Sequence, residues 1–418
     1  MEKVNISIIN TIYISLIILP ISLISGPFIS DFIVSLSTIL FIFYCIRNKE
    51  YKYFKNRFFF ILLFFYVWCI LCAVFSEYKL ISSMKSLVYF RFFIFALAVW
   101  FIFEKKENIA KYLFYSIFAC FLALLADGYF QYFTGKSITG SSHPLRISSF
   151  FGDELIYGSY LSRFLPILTA LFFLTKYSKI KKNQIFFSIF IILTSLIIYL
   201  SGERAAFLFV IFTFFNLIII FNKYSKYIII LFSIVLISIS AFSFSNKKIS
   251  DRMIKRTLEQ AGISKGINNF SSHHKGHYLV AWDLFKNNKI LGVGPKNFQS
   301  ECINNEKYQS HPYICTNHPH NTYLQLLSET GLVGFTIISY LFFYLVYLLL
   351  KHIYNKIRRI PDFLSFPFIC IISSILITLW PLIPTGSFFN NYINIIYFFP
   401  VGILLWFQND KTNKYKKV

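Results

Sequence analysis

In the stretch TNHPHNTYLQLLSETGLVGF, Thr316 to Phe335, three polar residues stand directly ahead of an apolar run of membrane-crossing length: His318, His320 and Asn321. Histidine is the side chain best suited to moving a proton near neutral pH. Thr322 and Gln325 have the S/T-x-x-E/Q spacing of a capping box, which predicts a helix start at Asn321 or Thr322. His320 would then lie at a helix N-terminus, where open N–H groups and aligned peptide dipoles attract anions. The combination points to catalysis on a negatively charged substrate. The competing reading is a polar anchor at the membrane surface, the commoner fate of a lone interfacial histidine.

Cations at unusual positions extend the pattern. Arg91, Arg163 and Arg204 fall within or at the ends of three different apolar runs, and Arg146 lies in a polar stretch between two others. A charge in such a segment is costly unless it is paired or functional. Pairing would join Arg91 to Asp127 and Arg204 to Glu203. Taken together, the arginines form a cationic pocket facing the segment that carries His320. Guanidinium forks suit phosphate, and the phosphate class a membrane itself supplies is a lipid-linked pyrophosphate. His311, His318 and His320 lack a neighbour at zinc-ligand spacing, so neither a metal nor a cofactor is expected.

The elements that must position these groups follow from composition. Hydrophobic residues are 56% of 418 and charged residues only 14%, against about a quarter in soluble chains. Apolar runs of membrane length recur throughout, which predicts an all-α polytopic membrane protein with about twelve spans. They fall near residues 5–25, 27–46, 58–75, 86–103, 110–130, 157–175, 185–200, 204–221, 227–244, 331–350, 363–382 and 391–407. The net charge of +23 does not indicate nucleic acid, because the basic residues occupy alternate short connections. Those connections, with Lys3 and the tail 408–418, hold 23 Lys and Arg. This positive-inside pattern puts both ends of the chain in the cytoplasm and residues 245–320 on the outer side. No cleavable leader is expected. The division is a bundle at 1–244, an outer segment with the histidine motif at 245–330, further spans at 331–407 and a basic tail.

Within the outer segment, Ile249, Met253, Ile254 and Leu258 predict one face of an amphipathic helix, and Tyr278, Ala281, Trp282, Leu284 and Phe285 a second helix ending at 286–288. GVGPKNF places Gly292 and Gly294 in a turn where backbone can approach a partner closely. Gly331 is a candidate helix stop or bend, and Gly334 follows three residues later. Cys302 and Cys315, close together on the oxidising side, are expected to pair.

The segment HNTYLQLLSETGLVG resembles the His-Asn, nine residues, Gly-x-x-Gly signature of the O-antigen ligase and O-antigen polymerase superfamily, with His320, Asn321, Gly331 and Gly334 at its fixed positions. GERAAF, the tryptophan ahead of LGVGPKNF, and RISSFFGDELIYGSYLSRFLP extend the likeness. The resemblance implies a metal-independent inverting glycosyltransferase of the bacterial inner membrane, acting at its periplasmic face. The donor would be a glycan on undecaprenyl pyrophosphate and the acceptor a hydroxyl, with membrane lipid around both. In a ligase that hydroxyl belongs to lipid A–core, in a polymerase to another lipid-linked repeat, and in a related branch to a protein. His320 would serve as base or positioning group, and Arg204 would hold the leaving pyrophosphate, with Arg146, Arg163 and Arg91 as further ligands. Glu154 is the reserve base if His320 only positions. Many members carry an arginine where this chain has Tyr278, so His277, His274 and Lys275 are the candidate loop cations. A transporter of lipid-linked glycans should show paired internal repeats with broken helices, and no such halves are visible.

Overall fold

The computed structural model describes residues 2–219, 224–260, 272–308, 312–360 and 364–409, and among these it contains no β-strand. The protein is an all-α polytopic membrane protein. The first run of helices comprises α1 (Glu2–Ser25), α2 (Pro27–Asn48), α3 (Arg57–Val74), α4 (Lys79–Leu87), α5 (Phe90–Lys105), α6 (Ile109–Thr134), α7 (Tyr157–Leu174), α8 (Lys181–Leu200), α9 (Arg204–Ile219) and α10 (Ser225–Ser245). Next come α11 (Lys247–Ser250), a π-helical turn (Asp251–Lys255), α12 (Arg256–Gln260), α13 (Ser272–Asn287) and α14 (Phe298–Asn304). Then follow α15 (Thr322–Ile357), α16 (Phe366–Thr378) and α17 (Asn391–Asn409).

Among the described residues, ten helical stretches are long and apolar enough to cross a membrane, with α4 and α5 counted as one stretch. The helices α9 and α16 are apolar but shorter. Burial sorts them into layers. Every residue of α5 from Phe92 to Phe103 is buried, as are nearly all of α7, α16 and α17. A helix apolar on all sides belongs at the centre, and α5 packs on α17 while α7 packs on α16 and α9. By contrast, α10 turns Tyr227, Ile230, Ile237 and Phe244 outward, as a lipid-facing helix should. The connections before α3 and after α5 share one end of the bundle, where Lys105 pairs with Glu50 at 2.9 Å and Lys52 with Glu104.

The opposite end carries the segment between α10 and α15, and it departs from expectation in places. Ile249 and Met253 are buried in the main core while Ile254 and Leu258 are exposed, so the predicted amphipathic face is split. The π-helical turn between α11 and α12 accounts for this, because an i→i+5 turn rotates the following residues off the stripe. The second predicted helix forms as α13. Its Val280, Ala281 and Leu284 join Val293, Phe298, Ile314 and Leu324 in a small core closed by the Cys302–Cys315 disulfide, Cα–Cα 5.3 Å. Trp282, read as part of that face, is 45% exposed.

Candidate active site

The histidine turn is held by a capped helix start. The Asn321 side chain accepts from the amides of Tyr323 and Leu324 at 3.0 and 3.1 Å, satisfying two open donors of α15, and donates to the Pro381 carbonyl at 2.7 Å. Asn321 is therefore the N-cap, and the expected Thr322–Gln325 capping box does not form. Gln325 instead turns inward: Nε2 donates to Glu329 and Ser387, and Oε1 accepts the Phe388 amide at 2.8 Å. The polar break between α16 and α17 thus packs against the first turns of α15. Its Thr385 amide donates to the His320 carbonyl at 3.0 Å, and its carbonyl lies 3.2 Å from His318 Nε2. His320 has a φ of 55°, a left-handed conformation uncommon for a residue with a Cβ.

Three further imidazoles surround His320. Ring centroids lie 4.2 Å away for His318, 5.3 Å for His277 and 5.6 Å for His274. His277 is buried, with Nδ1 2.8 Å from the Ile314 carbonyl, while Lys275 points outward and is exposed. Burial, then the rings of His277 and His274, pulls the His320 imidazole down to about 4 from an ordinary 6.5. Burial and the neighbouring His320 take His318 to about 3. His320 is consequently a neutral hydrogen-bond acceptor at physiological pH. Among the described residues no group of three or more His, Cys, Asp or Glu is placed to hold a metal ion; His311 lies outside them.

The glycines of the motif explain how the turn is fixed in space. Gly331, φ 63° and ψ −166°, breaks α15 nine residues after its start, and the freed carbonyls find other donors. Ser328 and Glu329 accept the amides of Val293 and Gly294 at 2.8 and 2.9 Å, and Thr330 accepts Trp68 Nε1 at 2.9 Å. The GVG turn therefore docks on the bend. A Cβ on Gly331 would fall 1.9 Å from the Ile290 carbonyl oxygen, and one on Gly292 2.5 Å from the Glu329 backbone. Gly294 approaches Ser76 and Ser82, and Gly334 leaves room for the Thr330 side chain.

A second group of charges gathers around the turn Ser201–Glu203. Arg204 is the first residue of α9 and half-buried. The Glu203 carboxylate accepts the amides of Gly158 and Ser159 at 2.7 and 3.2 Å and stands 3.9 Å from Arg146. Burial raises Glu203 to about 7 even though Arg146 opposes the shift. Arg146 also donates to the Leu155 carbonyl at 2.9 Å, while its Nε is buried without a hydrogen bond. Arg163, one turn below Ser159, is buried and donates to Ser159 and, at 3.4 Å, to Thr385 Oγ1. Thr385 thus touches both Arg163 and the histidine turn.

One expectation is corrected. Arg91 does not meet Asp127: it pairs with Asp31 at 2.8 Å and bonds Ser35, bracing α5 against α2. Asp127 instead accepts the Ile138 amide at 2.6 Å and the Ser149 hydroxyl. Glu154 is exposed on the turn before α7, so the buried acid nearest the arginines is Glu203. Sequence reasoning missed Thr385 and Glu203 as site residues. Thr385 had a signal in Pro384-Thr385-Gly386-Ser387, a polar interruption between two apolar runs.

Residues 189–339 match a family model described as O-antigen ligase. That stretch of the chain is similar to the O-antigen ligase family. The matched O-antigen ligase stretch contains Arg204, His277, the docked GVG turn, the disulfide, His320 and both motif glycines, while Arg146, Arg163 and Thr385 lie outside it. That likeness, together with the apolar helices, supports a membrane glycosyltransferase of O-antigen-related processing. No curated protein matches the chain.

Proposed function

We propose that the protein transfers a glycan from undecaprenyl pyrophosphate to a hydroxyl of lipid A–core, at the periplasmic face of the bacterial inner membrane. The observation that carries this reading is Thr385, whose backbone holds the His320 turn while its hydroxyl receives Arg163. A proton acceptor and one guanidinium, that of Arg163, are thereby linked through a single residue. A glycosyl pyrophosphate is an activated donor, so the protein must orient the acceptor and stabilise charge on the leaving diphosphate.

In this reading the acceptor hydroxyl donates its hydrogen bond to the neutral His320 imidazole and attacks the anomeric carbon from the face opposite the diphosphate. The new carbon–oxygen bond forms as the anomeric carbon–phosphate oxygen bond breaks, inverting the centre. The hydroxyl proton goes to His320 and then to water. The electron pair goes to the diphosphate, where Arg204, Arg146 and Arg163 offset the added charge. A ring held near pKa 4 is a weak base, so its first contribution is alignment, and it takes the proton only as the hydroxyl acidifies during bond formation. His277 lies beside His320, with ring centroids 5.3 Å apart.

The deciding experiment is the lipopolysaccharide profile of a deletion strain complemented with wild type or His320→Ala. Core without polymer, with lipid-linked polymer accumulating, supports ligation. Core bearing a single repeat would instead identify a polymerase, and an unchanged profile would remove the reading.

A further inference from the structure

The segment that opens beyond α10 carries two arginines, Arg252 and Arg256, that none of the roles above uses. We propose that Arg252 and Arg256 are ligands of the donor diphosphate, supplied by this segment to the site that Arg146 and Arg204 begin; the inference rests on the reading of the donor given above.

Their placement is fixed by packing. Ile249 and Met253 are buried in the bundle core and pin α11 and the π-helical turn against it. That turn puts Arg252 across the Ser201–Glu203 turn, where Nε donates to the Gly202 carbonyl at 2.9 Å. The approach requires glycine: Gly202 has a φ of 71°, and a Cβ there would lie 3.0 Å from Arg252 Nε and 2.4 Å from the Leu145 carbonyl oxygen. With Nε so engaged, the two terminal nitrogens of Arg252 keep the forked geometry that matches phosphate oxygens. Arg256 follows as the first residue of α12 and is exposed.

Charge supplies an independent argument. Arg146, Arg204 and Arg256 all lie close enough to repel Arg252, and Glu203 acts against that repulsion. These four guanidinium groups and this carboxylate together carry +3 with Glu203 ionised (4 − 1). Such a cluster is unfavourable by itself and is relieved by a polyanion. A diphosphate diester fits, because its negative charge increases by one as the glycosyl bond breaks. The cluster therefore binds the leaving group more tightly than the donor, which is the condition for acceleration. Residues from two separate parts of the chain, the bundle and the outer segment, would grip the diphosphate from both sides.

The test measures binding of glycan-free undecaprenyl diphosphate to the full chain in lipid nanodiscs, comparing wild type with Arg252→Met, Arg256→Met and Arg204→Met. Loss of one charge-assisted hydrogen bond predicts binding weaker by about tenfold for each new position. Wild-type affinity in both Arg252→Met and Arg256→Met, with loss in Arg204→Met, would overturn the inference and leave the donor reading standing. Absence of binding by the wild type would overturn the donor reading as well. If Arg252→Met loses its thermal transition, the exposed Arg256 decides: weakened binding supports the inference and unchanged binding overturns it.

Discussion

The amide of Thr385 donates to the carbonyl of His320 across 3.0 Å, while the hydroxyl of the same threonine receives Arg163 Nη2 at 3.4 Å. One residue between α16 and α17 therefore couples the imidazole turn to a buried guanidinium. Thr385→Val keeps the backbone bond and the shape but removes the hydroxyl. Transfer is expected to fall about tenfold, the effect of one hydrogen bond to a charged group, with accumulation unchanged. A wild-type rate in that variant would detach Arg163 from the reaction.

His320→Ala should abolish transfer while the protein still inserts and accumulates, because the helix cap is supplied by Asn321 and the turn by backbone bonds. Near-normal transfer would remove the assignment.

The pH dependence separates two groups. His320 must be unprotonated to accept the hydroxyl proton, and its pKa is depressed to about 4. The rate at saturating donor should therefore stay level as pH falls from 8 to 5 and drop only as pH nears 4. Glu203, raised to about 7, gains a proton through the same upper window and stops neutralising the arginines. The KM for the anionic donor should accordingly decrease as pH falls below 7. Steady-state rates in proteoliposomes check both, and a saturated rate that declines around 6.5 would contradict a buried, depressed imidazole.

How far the sequence could be read depended on the range of the interaction. The membrane helices were legible because runs of apolar residues at span length need no partner to be recognised, and Gly331 because few residues other than glycine bend a helix through positive φ. The histidine turn was legible as a motif, and its N-cap was placed to within one residue. What stayed hidden depends on packing between distant segments. Gln325 has capping-box spacing, yet a buried bond to Phe388 competes for it. Arg91 has Asp127 as a candidate partner, yet the helix order of the bundle sets it beside Asp31. Ile249 and Met253 looked like a membrane-surface stripe until the bundle core was seen to receive them.

Arg204→Lys should lose most activity, by about tenfold or more, since a point charge replaces a two-pronged donor at the start of α9. Rates of glycan transfer at wild-type protein levels provide the check. Equal rates would mean that this position contributes only net charge.

Cys302 and Cys315 should resist thiol alkylation in the native protein and label fully after reduction. Replacing both with serine should cost about 3 kcal/mol of local stability, the value for closing a ring of this size. The loss should appear as protease sensitivity around α13 and α14, whose buried residues the bridge closes over. Immediate labelling of both thiols in native vesicles would exclude the bridge.

Glycine substitutions offer a ranking. Gly135 has a φ of 82° and nothing within 4 Å of an added Cβ, so Gly135→Ala meets only the left-handed backbone penalty of about 1 kcal/mol. Gly331→Ala meets the same penalty and sets a methyl 1.9 Å from the Ile290 carbonyl oxygen, a backbone atom tied into the docked turn. Separating the two segments would break the bonds from Val293 and Gly294 and leave the bend's carbonyls unsatisfied in an apolar setting. A loss of about 3 kcal/mol or more is expected, with Gly292→Ala similar because its Cβ would strike the Glu329 backbone. Thermal unfolding in detergent should therefore order the variants with Gly135→Ala near wild type and the other two far below. If all three melted alike, the contact between the GVG turn and the bend of α15 would not be what holds the histidine turn in place.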